Sequence, residues 1–136
     1  MGATTVRAEI GTEAYRVSIR AGRHGLVADE PPALGGGDAG PGPFALVVAG
    51  LGACTVITLR MYAERKALPV EQVTADLALR RAGDSWRIER HVVVDGALTD
   101  AQLARFAEIA EKTPVTLALK PGFDIRTTVE RSGSTA

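Results

Sequence analysis

The stretch from Phe44 to Leu59 constrains this chain most: sixteen residues without a charge, closed by Arg60. Pro43 stands before it in a place suited to the first turn of a helix, no proline interrupts it, and charges enter only at Arg60, Glu64, Arg65 and Lys66. The pattern predicts one helix from Phe44 to about Lys66. Its first part is apolar or small nearly all the way round, so it has to be covered on every side. The charge-free run is shorter than the roughly 20 residues a bilayer span needs, which makes it a core helix and gives no reason to expect a membrane partner. Gly50 and Gly52 each cost about 1 kcal/mol against alanine inside a helix. They are expected where another backbone comes close, and a second copy of the same helix is one candidate.

Strands on both sides of the helix supply the covering layers. Val6, Ala8 and Ile10 alternate with Thr5, Arg7 and Glu9, and after Gly11 the pattern resumes with Tyr15, Val17 and Ile19 against Arg16, Ser18 and Arg20, an N-terminal hairpin. A turn over Ala21 to Gly25 leads to a short third strand from Leu26 to Ala28, stopped by Asp29-Glu30-Pro31-Pro32. Ala33 to Pro43 is too rich in glycine and proline for helix or strand and is expected to be a loop free to move. Beyond Pro69, Val73 to Arg80 and Trp86 to Asp95 alternate as the arms of a second hairpin, turning at Ala82 to Ser85. Thr99 with Gln102 three residues on is a capping-box signature for a helix from Asp100 to Lys112, with Leu103, Phe106, Ala107 and Ala110 on one face. Thr113-Pro114 breaks it, Val115 to Leu119 adds a helical turn, and Phe123 to Glu130 reads as a last strand. The order is α+β, over a single domain spanning residues 1–136, and not a doubly wound sheet.

Composition removes several function classes. Sixteen Lys and Arg balance sixteen Asp and Glu, so no basic excess is present to neutralise phosphates, and nucleic acid is not an expected partner. His24, His91 and one thiol are too few soft ligands for a zinc or iron-sulfur site, so neither a metal nor another cofactor is expected. A surface role is the expectation for each histidine. Gly35 to Pro41 lacks the Lys-Ser/Thr ending of a phosphate-binding loop. Asp95 with Asp100, or Glu108 with Glu111, would pair as carboxylates only by accident of faces. Cys54 is the only cysteine, and Met1 to Glu9 offers neither a basic nor an apolar leader pattern, so the expected setting is a reducing cytoplasm.

Cys54 is thus the one candidate nucleophile. A thiol with a pKa near 8.5 is only a few per cent ionised at neutral pH, and apolar burial lowers that fraction further. Its mid-helix position loses most of the help of the helix dipole, so a cation must stabilise the thiolate. Arg23, in the glycine-flanked turn, is the best candidate from sequence: it stays charged when partly buried and can donate two parallel hydrogen bonds to an anion or a peroxide oxygen.

The run Gly35 to Pro43, Phe44-Ala45-Leu46, Leu51-Gly52-Ala53-Cys54, Arg60-Met61-Tyr62-Ala63 with Lys66, and Glu111-Lys112-Thr113-Pro114-Val115 resembles the OsmC/Ohr family in order and spacing. The resemblance implies an OsmC-like fold: an intertwined homodimer whose two long central helices pack between β-sheets, with active sites at the subunit interface. It implies that Cys54 attacks the terminal oxygen of an organic hydroperoxide, giving a sulfenic acid and an alcohol, and that Arg23 activates the thiolate. The family's second cysteine, which opens a Cys-Pro segment and closes a disulfide, is replaced here by Thr113 before Pro114. Its glutamate just after the helix-opening proline is replaced by Phe44 and Ala45. Loss of the second cysteine leaves the first attack possible and sends the sulfenic acid to an external thiol or dithiol reductant. Two readings stand at this point: a one-cysteine peroxidase of oxidative-stress defence acting on small hydrophobic peroxides, or a non-catalytic dimer binding a small hydrophobic ligand.

Overall fold

The computed structural model describes residues 2–133. Strands β1 (Val6–Glu9), β2 (Val17–Ala21) and β3 (His24–Ala28) form an antiparallel sheet in that order. Helix α1 (Pro43–Arg65) follows, then the long hairpin of β4 (Val70–Ala82) and β5 (Ser85–Gly96), then α2 (Asp100–Ala110) and α3 (Pro114–Leu119). Both tight hairpins use a two-residue loop that opens on glycine at positive φ, 62° at Gly22 and 65° at Gly83, where a side chain would be strained. Thr99 caps α2 with the expected box, its hydroxyl accepting from Gln102 N–H while Gln102 Oε1 accepts from Thr99 N–H.

The glycine-rich connection between β3 and α1 is bound back on itself, not free. Asp29 is only 3% exposed, and its carboxylate accepts N–H groups of Glu30 (2.7 Å), Ala39 (3.0 Å) and Tyr15 (3.2 Å). Asp29 N–H in turn donates to Pro41 O at 3.1 Å. A Cβ on Gly36 would stand 2.0 Å from Glu30 O and one on Gly40 2.1 Å from Val27 O, so both positions need glycine for the backbone to approach so closely. The composition that reads as a loop free to move is what lets this loop pack tightly.

Helix α1 buries Leu51, Thr55, Leu59 and Ala63, a stripe at every fourth residue. Leu59, Ala63, Val70 and Phe106 form the core, and Tyr62 meets Phe106 edge-on with ring centroids 5.3 Å apart. The hairpin and the two short helices cover one side of α1 and no more. The expectation of burial all round fails within the chain: Phe44, Val47, Ile57 and Met61 are between 46% and 57% exposed. Neither helix glycine meets another backbone either. A Cβ on Gly50 would meet nothing within 4 Å, and one on Gly52 would meet the Leu77 side chain at 3.1 Å. By length and composition α1 is apolar enough to cross a membrane; the side it does bury is the core face of the α+β fold.

Two further expectations need correction. Leu103 and Ala107 stay at the surface, and only Phe106 and Ala110 of the α2 face are buried. Residues Phe123 to Glu130 form no strand, and Phe123, Ile125 and Val129 are 64%, 83% and 90% exposed. Their alternation suits a strand, but a strand also needs an edge to hydrogen-bond to, and the described part of this chain pairs none with it.

Truncating Phe106 to alanine is expected to destabilise the fold by about 3 to 5 kcal/mol in urea unfolding. Asp29 gives a pH test. The Ala39 N–H, against the cost of burial and aided by Glu30, Tyr15 and Gly37 N–H groups, holds its carboxyl below the ordinary value of 3.8. Its stabilising contribution is complete above that value and is lost as pH falls through the lowered folded one. Asp29→Ala should therefore flatten the acid limb of a stability-versus-pH curve and speed proteolysis between Ala33 and Pro43.

Candidate active site

Cys54 sits midway along α1, half-buried, one residue before the fully buried Thr55. Thr58, one turn on, brings its Oγ1 to 3.9 Å from the sulfur. Thr113 arrives from the other side, because Pro114 stops the preceding segment and makes Thr113 the N-cap of α3, completely buried. Burial by itself pushes the Cys54 thiol up. Val115 N–H, the Thr113 and Thr58 hydroxyls and the charge of Arg90 outweigh it and hold the thiol below its ordinary value.

Arg90 projects from β5 into this cluster with its side chain 11% exposed. Nη1 donates to Thr55 Oγ1 and Thr116 Oγ1, each at 2.9 Å, and Nη2 to Ala110 O at 2.8 Å and Glu111 Oε2 at 3.4 Å. Glu111 also takes Lys120 Nζ at 2.6 Å. Beside this network lies a cleft of about 380 Å³, walled by Leu51, Trp86, Ile88 and Leu119 and shared with Arg90 and Thr116. A more open apolar groove of about 610 Å³ runs between the first half of α1 and β4, lined by Phe44, Val48, Gly52 and Leu77 among others. A thiol held low, partly exposed and beside a cation is the setting of a reactive cysteine.

Residues 35–128 match the pattern of the OsmC-like protein family. The chain belongs to the OsmC-like family. An OsmC-like protein from Mycoplasma pneumoniae superposes with a TM-score of 0.74 at 17% identity, covering 85% of this chain and 86% of that one. An osmotic stress induced and detoxification response protein from Psychrobacter arcticus gives 0.75 at 20% identity, covering 89% and 91%. An organic hydroperoxide resistance protein from Legionella pneumophila gives 0.64 at 23% identity, covering 88% and 90%. No curated protein sequence matches. At these identities the likeness shows the OsmC-like fold.

Of the residues singled out from sequence, Thr113 comes near enough to Cys54 to favour its thiolate. Arg23 does not join them within one chain. It occupies the second place of the β2–β3 loop, exposed, and makes no hydrogen bond or ion pair among the described residues. At the helix start of this OsmC-like chain, Phe44 packs on Trp86 with centroids 4.9 Å apart and the rings tilted by 38°, and the Arg81 guanidinium lies 5.0 Å from the Trp86 ring centre. His24 and His91 are both exposed. Sequence reading missed Arg90, although a signal was there: it shares the inward register of β5 with Ile88, Val92 and Val94, a charge in an apolar row. Thr55, in the buried row of Leu51, Leu59 and Ala63, is a similar polar interruption.

The lowered Cys54 thiol implies that alkylation by iodoacetamide at neutral pH outpaces that of an unperturbed thiol, with a pH midpoint below it. Thr58→Val, which removes one donor, should move that midpoint upward.

Proposed function

We propose that this protein reduces organic hydroperoxides through Cys54 alone, as a homodimer in a reducing compartment, with Arg23 brought to the sulfur by the partner copy. The observation that carries the reading is the Cys54 sulfur itself, half-buried, its thiol held below the ordinary value by three donors and by the charge of Arg90, which also lines a neighbouring cleft with Leu51, Trp86, Ile88 and Leu119. Relatives named for organic hydroperoxide resistance support the substrate class. The uncovered sides of α1 and the strand-patterned segment Phe123 to Glu130, exposed in one chain, support the second copy.

The chemistry balances with one thiol. The thiolate sulfur attacks the terminal peroxide oxygen, the O–O bond breaks, and the leaving alkoxide takes a proton to become the alcohol. Cys54 is oxidised to the sulfenic acid and the peroxide is reduced. Thr113 offers no sulfur for a disulfide, so an external thiol condenses with the sulfenic acid, releasing water, and a second thiol cleaves the mixed disulfide to restore Cys54. The apolar part of the cleft, Leu51, Trp86, Ile88 and Leu119, favours a peroxide with a hydrocarbon tail, at about 25 cal/mol per Å² buried.

A second reading draws on the open groove along α1: a non-catalytic dimer holding a small hydrophobic ligand there, with Cys54 a packed side chain. Cys54→Ser separates the two. Under the peroxidase reading it abolishes the sulfenic acid trapped after a stoichiometric pulse of cumene hydroperoxide; under the second, the intact protein traps nothing faster than a model thiol and ligand binding survives the substitution. Thr113→Cys is expected to convert the chain to two-cysteine behaviour, seen after the pulse as an intact mass lower by two hydrogens and reversible by dithiothreitol.

A further inference from the structure

The cleft beside Arg90 is divided in its chemistry. Leu51, Trp86, Ile88 and Leu119 wall one part, while Arg90, Glu111, Thr116 and Lys120 line the rest. At about 380 Å³ it has the volume of roughly a dozen waters in the liquid and lies at the small end of ligand pockets. Its polar part sets a guanidinium and an ammonium against one carboxylate, a surplus of one positive charge. Lys120, hydrogen-bonded to Glu111, holds that carboxyl below its ordinary value, so the carboxylate is ionised at neutral pH and the count stands. Which cation a ligand can reach follows from the donors. Arg90 spends Nη1 on the Thr55 and Thr116 hydroxyls and Nη2 on Ala110 O and Glu111, and its side chain is 11% exposed, so it lends the cleft charge and no free N–H of either Nη. Lys120 differs. An ammonium has three protons, and the one hydrogen-bond partner of Nζ among the described residues is Glu111 Oε1 at 2.6 Å, on a side chain 58% exposed. An exposed pair of this kind is weak and exchanges partners readily.

We propose that this cleft is a binding site for a small organic anion, with the ligand's carboxylate on Lys120 Nζ and its apolar body against Trp86, Ile88 and Leu119. An aromatic body suits the wall, because the Trp86 indole is half in solvent and offers a ring to pack on. The apolar wall accepts many shapes, and the surplus charge decides between an acid and the alcohol or amine of the same shape. The open groove between α1 and β4 makes no such distinction, since Phe44, Val48, Leu77 and its other lining residues carry no charge. A neutral apolar molecule thus has two places to go, and an organic anion has one that attracts it. Nothing in the inference requires Cys54 to react.

The test is an NMR titration of the full chain with 4-phenylbutyrate, 4-phenylbutanol and 4-phenylbutylamine, which keep one body and change the head from anion to neutral to cation. The acid is expected to bind about fivefold more tightly than the alcohol, and the amine more weakly than either. Lys120→Gln, a change at an exposed side chain, should bring the acid to within about twofold of the alcohol. Glu111→Gln, which removes the one competing carboxylate, should tighten the acid and leave the alcohol where it was. Nuclear Overhauser contacts from the phenyl protons are expected to Trp86 and Leu119. No saturable binding of the acid, equal binding of acid and alcohol, or a preference for the acid that survives Lys120→Gln overturns the proposal. Contacts to Val48 and Leu77 in place of Trp86 and Leu119 put the probe in the groove and overturn it as well. None of the probes is a peroxide, so failure here leaves the peroxidase reading standing, and a chain that reduces no peroxide leaves this site open to the same test.

Discussion

The buried fork of Arg90 is the interaction on which the arrangement of the site depends. A guanidinium taken out of water is expensive unless its donors are matched, and here two hydroxyls, a helix-end carbonyl and a carboxylate match them. These partners come from α1, the end of α2, and α3, while Arg90 itself is held in register opposite Leu77 in the long hairpin. One side chain therefore fixes where a six-residue helix, too short to hold its own place, sits against α1. Since Thr113 and Val115 reach Cys54 from that helix, the environment of the sulfur follows from a contact that does not touch it directly.

Packing is distributed unevenly along α1, and the site lies at the division. Toward its C-terminal end, Leu59 and Ala63 are closed over by Val70 and Phe106. Toward its N-terminal end, Phe44 and Val47 remain in the open. Cys54 falls between, half-buried and one residue before the fully buried Thr55. The Asp29 clasp plays a matching role at the helix start, fixing the loop that delivers the chain to Pro43.

Elements whose pattern and partner both lie nearby in sequence were legible. The charge-free run, the two hairpins with their glycine turns, and the Thr99 and Gln102 box all formed within a few residues of expectation, because alternation, capping and turn chemistry are local. Phe123 to Glu130 has an equally clear alternation and no strand, since a strand is a property of two segments. Gly50 and Gly52 invited the same kind of inference about an unseen neighbour. Cys54 and Thr113 could be paired in advance only through resemblance to a family, and both the glycine-flanked turn and that resemblance pointed to Arg23 as the cation. Arg90 became visible only in the fold, because it is the approach of three helices that turns a charge in an apolar strand row into a hub.

The aromatic contact at the rim of the smaller cleft has an optical side. Trp86 is the only tryptophan, half in solvent, between the Phe44 ring and the Arg81 guanidinium, and its indole forms part of the wall that also carries Arg90. A molecule settling in that cleft displaces water from the indole and disturbs both of its neighbours. Excited beyond the tyrosine band, emission from this chain therefore comes from one indole in the wall of the cleft that Arg90 shares, so that occupancy of the cleft is written into the colour and yield of that light.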